Sequence, residues 1–201
     1  MEWSNGLKDI LATYSPLAAG GGSGQEISND TPIAKELAKI EGRRRPSTFP
    51  FPIYHGALPF TEGPAYLGAV VWALFLFGLF AARRPIVWWL GGGTFFIFVS
   101  SMGNNVEGLN HFLYDFLPLL NKFRAPSSAL SISTFMMVVL GVIGVHDWMK
   151  TLEDDEAKAR KTLLVAGGTA AVLGLLITVL VPSFIDFTAA SDGRIFPADN
   201  P

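Results

Sequence analysis

The residues best suited to chemistry lie in the stretch 102–126, which reads MGNNVEGLNHFLYDFLPLLNKFRAP. Near its end, Asn121, Lys122 and Arg124 group an amide and two cations around Phe123. Lys and Arg bind phosphate oxygens, Arg through a planar bidentate fork. The group therefore suits the phosphate or pyrophosphate of a lipid carrier at headgroup depth. On residue types alone, the favoured interpretation is simpler: both cations extend to headgroups and anchor the adjoining helix.

A helix that could present polar groups precedes these cations. Apolar residues recur at helical spacing from Leu109 to Leu120, which predicts an interfacial helix over residues 106–120 that lies on the bilayer. The polar side chains around the rest of its surface are Glu107, His111, Tyr114 and Asp115. We expect them to be weaker candidates for binding the hydroxyl groups of a sugar.

Other kinds of site find less support. The chain has no cysteine and three histidines without ligand spacing, so we predict no metal and no other cofactor. The loop over residues 18–29 (AAGGGSGQEISN) lacks the Lys and the preceding strand of a P-loop, and we interpret it as a flexible surface loop. A formal net charge of −2 argues against nucleic acid as a partner.

Long hydrophobic runs must position these residues. Half of the 201 residues are hydrophobic and 16% are charged, compared with roughly 25% charged in soluble domains. Four runs carry almost no charge: 63–82, 86–101, 127–148 and 162–181. Each approaches or reaches the roughly 20 residues that cross a bilayer as a helix. The sequence therefore predicts an all-α integral membrane fold with about four transmembrane helices, the second of them short and rich in glycine.

The loops between these runs predict an orientation. The tight loops after the first and third runs hold six Lys and Arg residues, and the opposite short segments hold three. The positive-inside rule then places the tight loops in the cytoplasm. The polar region 1–62 and the tail 182–201 lie on the extracytoplasmic side of the membrane in this orientation. His146 and Asp147 close the third run at the cytoplasmic edge, where exposure to water accounts for them.

The region 1–62 has its own local signals. Thr31 is suited to cap a helix and Pro32 to begin it, while Ile33, Leu37 and Ile40 fall on one helical face. Prolines recur between residues 46 and 64, which predicts an extended, irregular approach to the first membrane run.

Two motifs in the chain resemble those of a known family. The sequences PIYHGALPFTEGPAYLGAV (residues 52–70) and NKFRAPSSAL (residues 121–130) resemble segments that lead into membrane spans of the YfhO-type bacterial membrane proteins. The opening WSNGLKDILATYSPLAAGGGSGQ is similar to an extracytoplasmic loop of that family. The resemblance is collinear over nearly the whole chain.

The YfhO-type proteins are in turn similar to the GT-C glycosyltransferases, which transfer a sugar from a polyprenyl-phosphate donor at the outer membrane face. The catalytic carboxylates of those enzymes lie in a first extracytoplasmic loop that has no counterpart here. The resemblance therefore implies a fragment or a reduced relative, and it transfers no catalytic residue to this chain. Whether the chain is an enzyme is left open.

The expected function is to bind a lipid-linked sugar or acceptor at the outer membrane face, with Asn121, Lys122 and Arg124 at its phosphate. The alternative is a non-catalytic structural subunit of a larger membrane complex, because small residues in the fourth run suit helix packing. A transporter would need an acid or base within the membrane, which the runs lack away from their ends. The expected partners are membrane lipids, a polyprenyl-phosphate-linked sugar and other membrane protein subunits.

Overall fold

A computed structural model describes residues 3–42, 46–63, 65–83, 85–106 and 126–184, together with residues 108 and 112. These residues fold mainly as helices. The N-terminal region contains α1 (Leu7–Ala12), β1 (Gln25–Ser28), α2 (Pro32–Glu41) and β2 (Thr48–Phe51). The apolar helices are α3 (Ala69–Ala81), α4 (Ile86–Ser101), α5 (Leu130–Asp154) and α6 (Glu156–Phe184). Short 3-10 helices at Gly103–Val106 and Pro126–Ala129 lie next to the ends of α4 and α5.

The N-terminal region contains a small sheet, which corrects the prediction of an all-helical chain. β1 and β2 pair antiparallel, with Ile27 opposite Phe49. Both of these side chains are buried, and Ala34 of α2 packs with them. Their neighbours along each strand are mostly exposed, which is the period-two pattern of a sheet with one covered face. The strands are only four residues long, too short for their alternation to stand out in the sequence.

The predicted start of α2 is confirmed. Thr31 Oγ1 accepts a hydrogen bond from the backbone N–H of Ala34, and Pro32 is the first helical residue. The helix ends at Gly42, which has φ +64°, a left-handed conformation that glycine adopts without steric cost.

The glycine loop is buried at Gly20, Gly21 and Gly22, so the interpretation as a flexible surface loop is wrong for these three residues. Gly20 has φ +80°, and a Cβ there would collide with the carbonyl oxygen of Ile53. The carbonyl of Gly22 accepts a hydrogen bond from the N–H of Ile53. Glycine is needed here because two backbone segments approach each other too closely for any side chain.

The four predicted spans differ in length. Among the described residues, two helices are long and apolar enough to cross a membrane, at Ser127–Asp154 and Glu156–Val179. α3 and α4 have 13 and 16 residues, or about 20 and 24 Å, against a hydrocarbon core of about 30 Å. α3 begins at Ala69 rather than at residue 63, because Gly68 has φ +105°.

The apolar helices pack around a close approach of α3 and α5. A Cβ on Gly78 would come within 2.5 Å of the carbonyl oxygen of Leu140, and a Cβ on Gly144 within 2.5 Å of Gly78 Cα. We call this pair, Gly78 and Gly144, the glycine contact. Next to it, Met137 and Leu140 of α5 are fully buried and cluster with Phe75 of α3.

Asp147 lies at the end of the bundle where α3 turns into α4. Its Oδ2 accepts a hydrogen bond from the N–H of Arg83 at 3.1 Å, and the residue is 7% exposed. The expectation that water accounts for Asp147 is therefore wrong, since its carboxylate satisfies a backbone donor of the tight turn. This bond ties the α3–α4 turn to α5.

Gly144 and Gly168 form a matched pair for testing the glycine contact. Alanine is favoured over glycine within a helix by about 1 kcal/mol, and nothing lies within 4 Å of a Cβ on Gly168. We expect Gly168→Ala to leave the free energy of unfolding unchanged or to raise it slightly. Gly144→Ala should lower it by about 1–3 kcal/mol, because overpacking opposes the propensity gain. Unfolding in detergent, followed by circular dichroism, measures both, and equal stability of the two variants would contradict the packing described.

Candidate functional site

The sequence-predicted site falls outside the described residues. This holds for the proposed phosphate-binding residues Asn121, Lys122 and Arg124. It holds equally for the proposed sugar-binding residues Glu107, His111, Tyr114 and Asp115. The described part of the site is therefore the surface from which the segment 107–125 departs and to which it returns.

Residues 3–5, which we call the N-terminal strap, join the two ends of that segment. On the departing side, the side chain of Asn105 donates to the carbonyl of Asn5 at 2.9 Å. On the returning side, the N–H of Ser127 donates to the carbonyl of Trp3 at 3.3 Å. The N–H of Asn5 also donates to the carbonyl of Ser101 at the end of α4, at 3.0 Å. The strap therefore brings residues 105 and 127 to one patch above the helix ends.

The patch contains an unused hydrogen-bond donor. Asn5 is 2% exposed, and its Nδ2 has no hydrogen-bond partner among the described residues. A buried donor without an acceptor costs about 1–3 kcal/mol. An oxygen of a ligand or of an ordered water would satisfy it.

A buried carboxylate fixes the residues that follow the strap. Asp9 of α1 is 2% exposed. Its Oδ2 accepts from the N–H groups of Gly6 and Ala57 at 2.8 and 3.1 Å, and its Oδ1 accepts from the hydroxyl of Tyr54 at 2.6 Å. Three donors hold the buried carboxylate, so it positions α1 against the segment 54–58.

Tyr54 completes this buried cluster. Its oxygen accepts the N–H of Leu58 at 2.7 Å while its hydroxyl donates to Asp9. Burial, and then the hydrogen bond to Asp9, raise the pKa of Tyr54 well above its ordinary value. Gly56 lies directly over both side chains, and a Cβ there would collide with the hydroxyl of Tyr54 and the carboxylate of Asp9.

Thr13 connects this cluster to the apolar helix α3. Its carbonyl accepts from the N–H groups of Leu67 and Gly68 at 3.0 and 3.3 Å, just before α3 begins. Its hydroxyl oxygen accepts from Trp72 Nε1 at 3.2 Å and donates to the carbonyl of Ile10 at 2.6 Å. The end of α1 is thereby fixed to the first turn of α3.

A groove of about 170 Å³ lies below α1, between α3 and α6. Its walls consist of Ile10, Leu11, Tyr14, Ala69, Trp72, Ala73, Leu76, Ala170, Leu173 and Ile177. None of these ten side chains is charged. Tyr14 reaches across to α6, where its hydroxyl lies so near Gly174 that a Cβ there would collide with it.

Sequence reasoning missed Asp9, Thr13, Tyr14 and Tyr54. Asp9 lies three residues after Gly6, at the position of a capping carboxylate, which is a local signal for its bond to Gly6. No local signal links it to Tyr54, 45 positions away. Within the described ranges, no three His, Asp or Glu side chains come close enough together to hold a metal ion.

No family model, curated protein or solved structure matches this chain. The resemblance to the YfhO-type proteins therefore stays a prediction from the sequence motifs.

Replacing Tyr54 with Phe tests the buried cluster. The variant removes one hydrogen bond to Asp9 and leaves the N–H of Leu58 without its acceptor, so we expect a loss of about 1–3 kcal/mol in the free energy of unfolding. Tyr66 is exposed, and Tyr66→Phe serves as the matched control, with little expected change. Denaturant unfolding in detergent measures both variants, and equal stabilities would show that the cluster contributes nothing.

The raised pKa of Tyr54 also predicts a pH dependence. The folded state holds the phenolic proton more tightly than the unfolded state, whose tyrosine pKa is about 10. Stability from this group is thus fully present below pH about 10 and falls as the pH rises above it. In Tyr54→Phe this part of the decline should disappear. The measurement is the unfolding free energy between pH 9 and 11 (roughly one unit on each side of that pKa), and identical slopes in both proteins contradict the prediction.

Proposed function

We propose that this chain is a multi-span protein of a bacterial inner membrane whose outer face binds a lipid-linked sugar or acceptor. α5 and α6 are the two helices long enough to cross unaided. α3 and α4 complete the proposed set of four, with the non-helical residues 65–68 and local bilayer thinning making up their shorter lengths.

The apolar surface supports the membrane part of this proposal. In the most apolar stretch of α6 only 6% of the residues are buried, whereas the core helix of a soluble protein would be mostly covered. Large side chains on the other helices are also exposed, including Trp88 at 84%, Trp89 at 80% and Phe95 at 71%. Soluble monomers seldom expose apolar patches larger than a few hundred Å². Hydrocarbon is the solvent that suits such a surface.

The position of the N-terminal strap supports the proposal that a ligand binds at this end of the bundle. Arg124 is three residues from Ser127, which is bonded to Trp3, so the chain keeps its Cα within about 11 Å of the patch. By the same reasoning Lys122 stays within about 18 Å. The patch that the chain must reach also holds a buried amide donor, Asn5 Nδ2. This supports a phosphate-bearing ligand with further polar groups, as the resemblance to the YfhO-type proteins implies.

One observation favours the alternative function, a structural subunit of a larger membrane complex. α6 exposes Gly167 and Gly168, and nothing lies within 4 Å of a Cβ on either residue. Small residues on a lipid-facing surface let another membrane helix approach closely. In this alternative, Lys122 and Arg124 anchor the chain at the headgroups and bind no particular lipid.

The orientation is tested with two exposed acidic positions, Glu62 and Asp154, in a chain without cysteine. We expect the cysteine of Glu62→Cys to react with a membrane-impermeant thiol reagent in intact cells. The cysteine of Asp154→Cys should react only after the membrane is permeabilised. The reversed pattern would overturn the outer location of the strap.

The phosphate-binding proposal is tested by removing the two cations. The double variant Lys122→Gln/Arg124→Gln should lose at least tenfold in retention of a polyprenyl phosphate, measured by native mass spectrometry of the purified protein. Arg124→Lys should also weaken retention, because the bidentate fork is lost although the charge remains. Arg160→Gln/Lys161→Gln, which removes two cations at the opposite end of the bundle, is the matched control and should retain the lipid. Equal retention by all variants would favour the structural subunit.

A further inference from the structure

The groove below α1 extends along the membrane helices from their outer ends. On α3 its wall runs from Ala69 to Leu76, and on α6 from Ala170 to Ile177. Each wall covers seven helical steps, or about 10 Å, which is a third of a hydrocarbon core of about 30 Å. The groove is thus a narrow strip that begins where α1 lies and descends between two antiparallel helices.

Water is a poor occupant of the groove because the lining is apolar. The described side chains that line it are all aliphatic or aromatic, and none of them is charged. Engineered apolar cavities of about 150 Å³ stay dry and bind a hydrocarbon of the size of benzene. The groove has about 170 Å³ and borders side chains of the same helices that are exposed, such as Val70 and Val172. It is continuous with the lipid-facing surface of the proposed membrane domain.

Two aromatic residues of the groove lining, Trp72 and Tyr14, carry a polar atom. Trp72 directs Nε1 upward to the hydroxyl of Thr13, and Tyr14 carries its hydroxyl across to α6. Aromatic residues with one polar tip favour the depth at which lipid headgroups meet hydrocarbon. An occupant would therefore have its polar part at the level of α1 and a chain pointing down the strip.

We propose that this groove holds one acyl chain of a bilayer phospholipid, which binds α1 to α3 and α6. Among the described residues, those that line the groove include no cation, and their apolar side chains match the acyl chain of an ordinary phospholipid. Bound in this way, the lipid stabilises α1 on the membrane helices, and α1 carries the carboxylate of Asp9 and follows the strap. The proposal rests on the membrane location proposed above and is independent of Lys122 and Arg124.

The test uses neighbouring alanines on α6 as a matched pair. Ala170 lines the groove, whereas Ala171 is exposed outside it. Ala170→Phe and, from α3, Ala73→Phe would fill the groove, and Ala171→Phe adds the same bulk elsewhere. Each protein is placed in phosphatidylcholine nanodiscs that contain a phosphatidylcholine with a photoreactive diazirine in one acyl chain. After illumination, peptide mass spectrometry locates the lipid adducts.

We expect adducts on Ile10 and Leu11 of α1 in the unaltered chain and in Ala171→Phe, and at least a tenfold loss in both groove-filling variants. Adducts on Trp88 and Trp89 of α4 should stay constant, which shows that the variants are folded and embedded. The variant Lys122→Gln/Arg124→Gln should keep its adducts on α1. This result separates a failure of the phosphate-binding proposal from a failure of the groove proposal. Equal α1 labelling in all variants would overturn the inference. The inference would also be overturned if an equimolar polyprenyl phosphate displaced the labelled phospholipid, because the groove would then bind a lipid-linked donor.

Discussion

The rest of the structure depends on the close approach of α3 and α5 at the glycine contact. Because neither Gly78 nor Gly144 has a side chain, the two backbones meet directly, with Leu140 and Met137 buried beside them. Dispersion and close packing, rather than hydrophobic burial, hold helices together in lipid, and small residues make that packing possible. The contact fixes α3 in the middle of the bundle. α3 then provides the surfaces on which α1 and α6 lie.

Hydrogen bonds connect α3 to the polar segments at one end of the bundle. Thr13 binds the backbone just before α3 and accepts from Trp72, while Asp9 holds α1 to the segment that contains Tyr54. The N-terminal strap then ties α4 to the start of α5. A short polar segment thus joins the ends of α4 and α5 in one surface, and this surface flanks the segment 107–125 on both sides.

Composition and periodicity were sufficient to predict the apolar helices and the start of α2, because these depend on local signals: continuous hydrophobic runs, a capping threonine and a following proline. The small sheet was missed since its four-residue strands pair across residues 29–47. The role of Asp147 was misjudged because its partner, the N–H of Arg83, lies 64 positions away. The buried cluster of Asp9 and Tyr54 was not predicted for the same reason, because its members are 45 positions apart. The predicted phosphate-binding residues lie outside the described ranges, so their chemistry stays a prediction from residue types and resemblance.

We propose that the exposed apolar faces of these helices contact lipid on both sides of the glycine contact. Spin labels on single cysteines at Phe95, Val142 and Val172, which are all exposed, test it most directly in the protein reconstituted into bilayers. Power-saturation electron paramagnetic resonance compares how often each label collides with apolar oxygen and with a water-soluble nickel chelate. If these faces contact lipid, the labels at all three positions should collide frequently with oxygen and rarely with the chelate. Frequent collisions with the chelate at these positions would contradict it, because the faces would then lie in water.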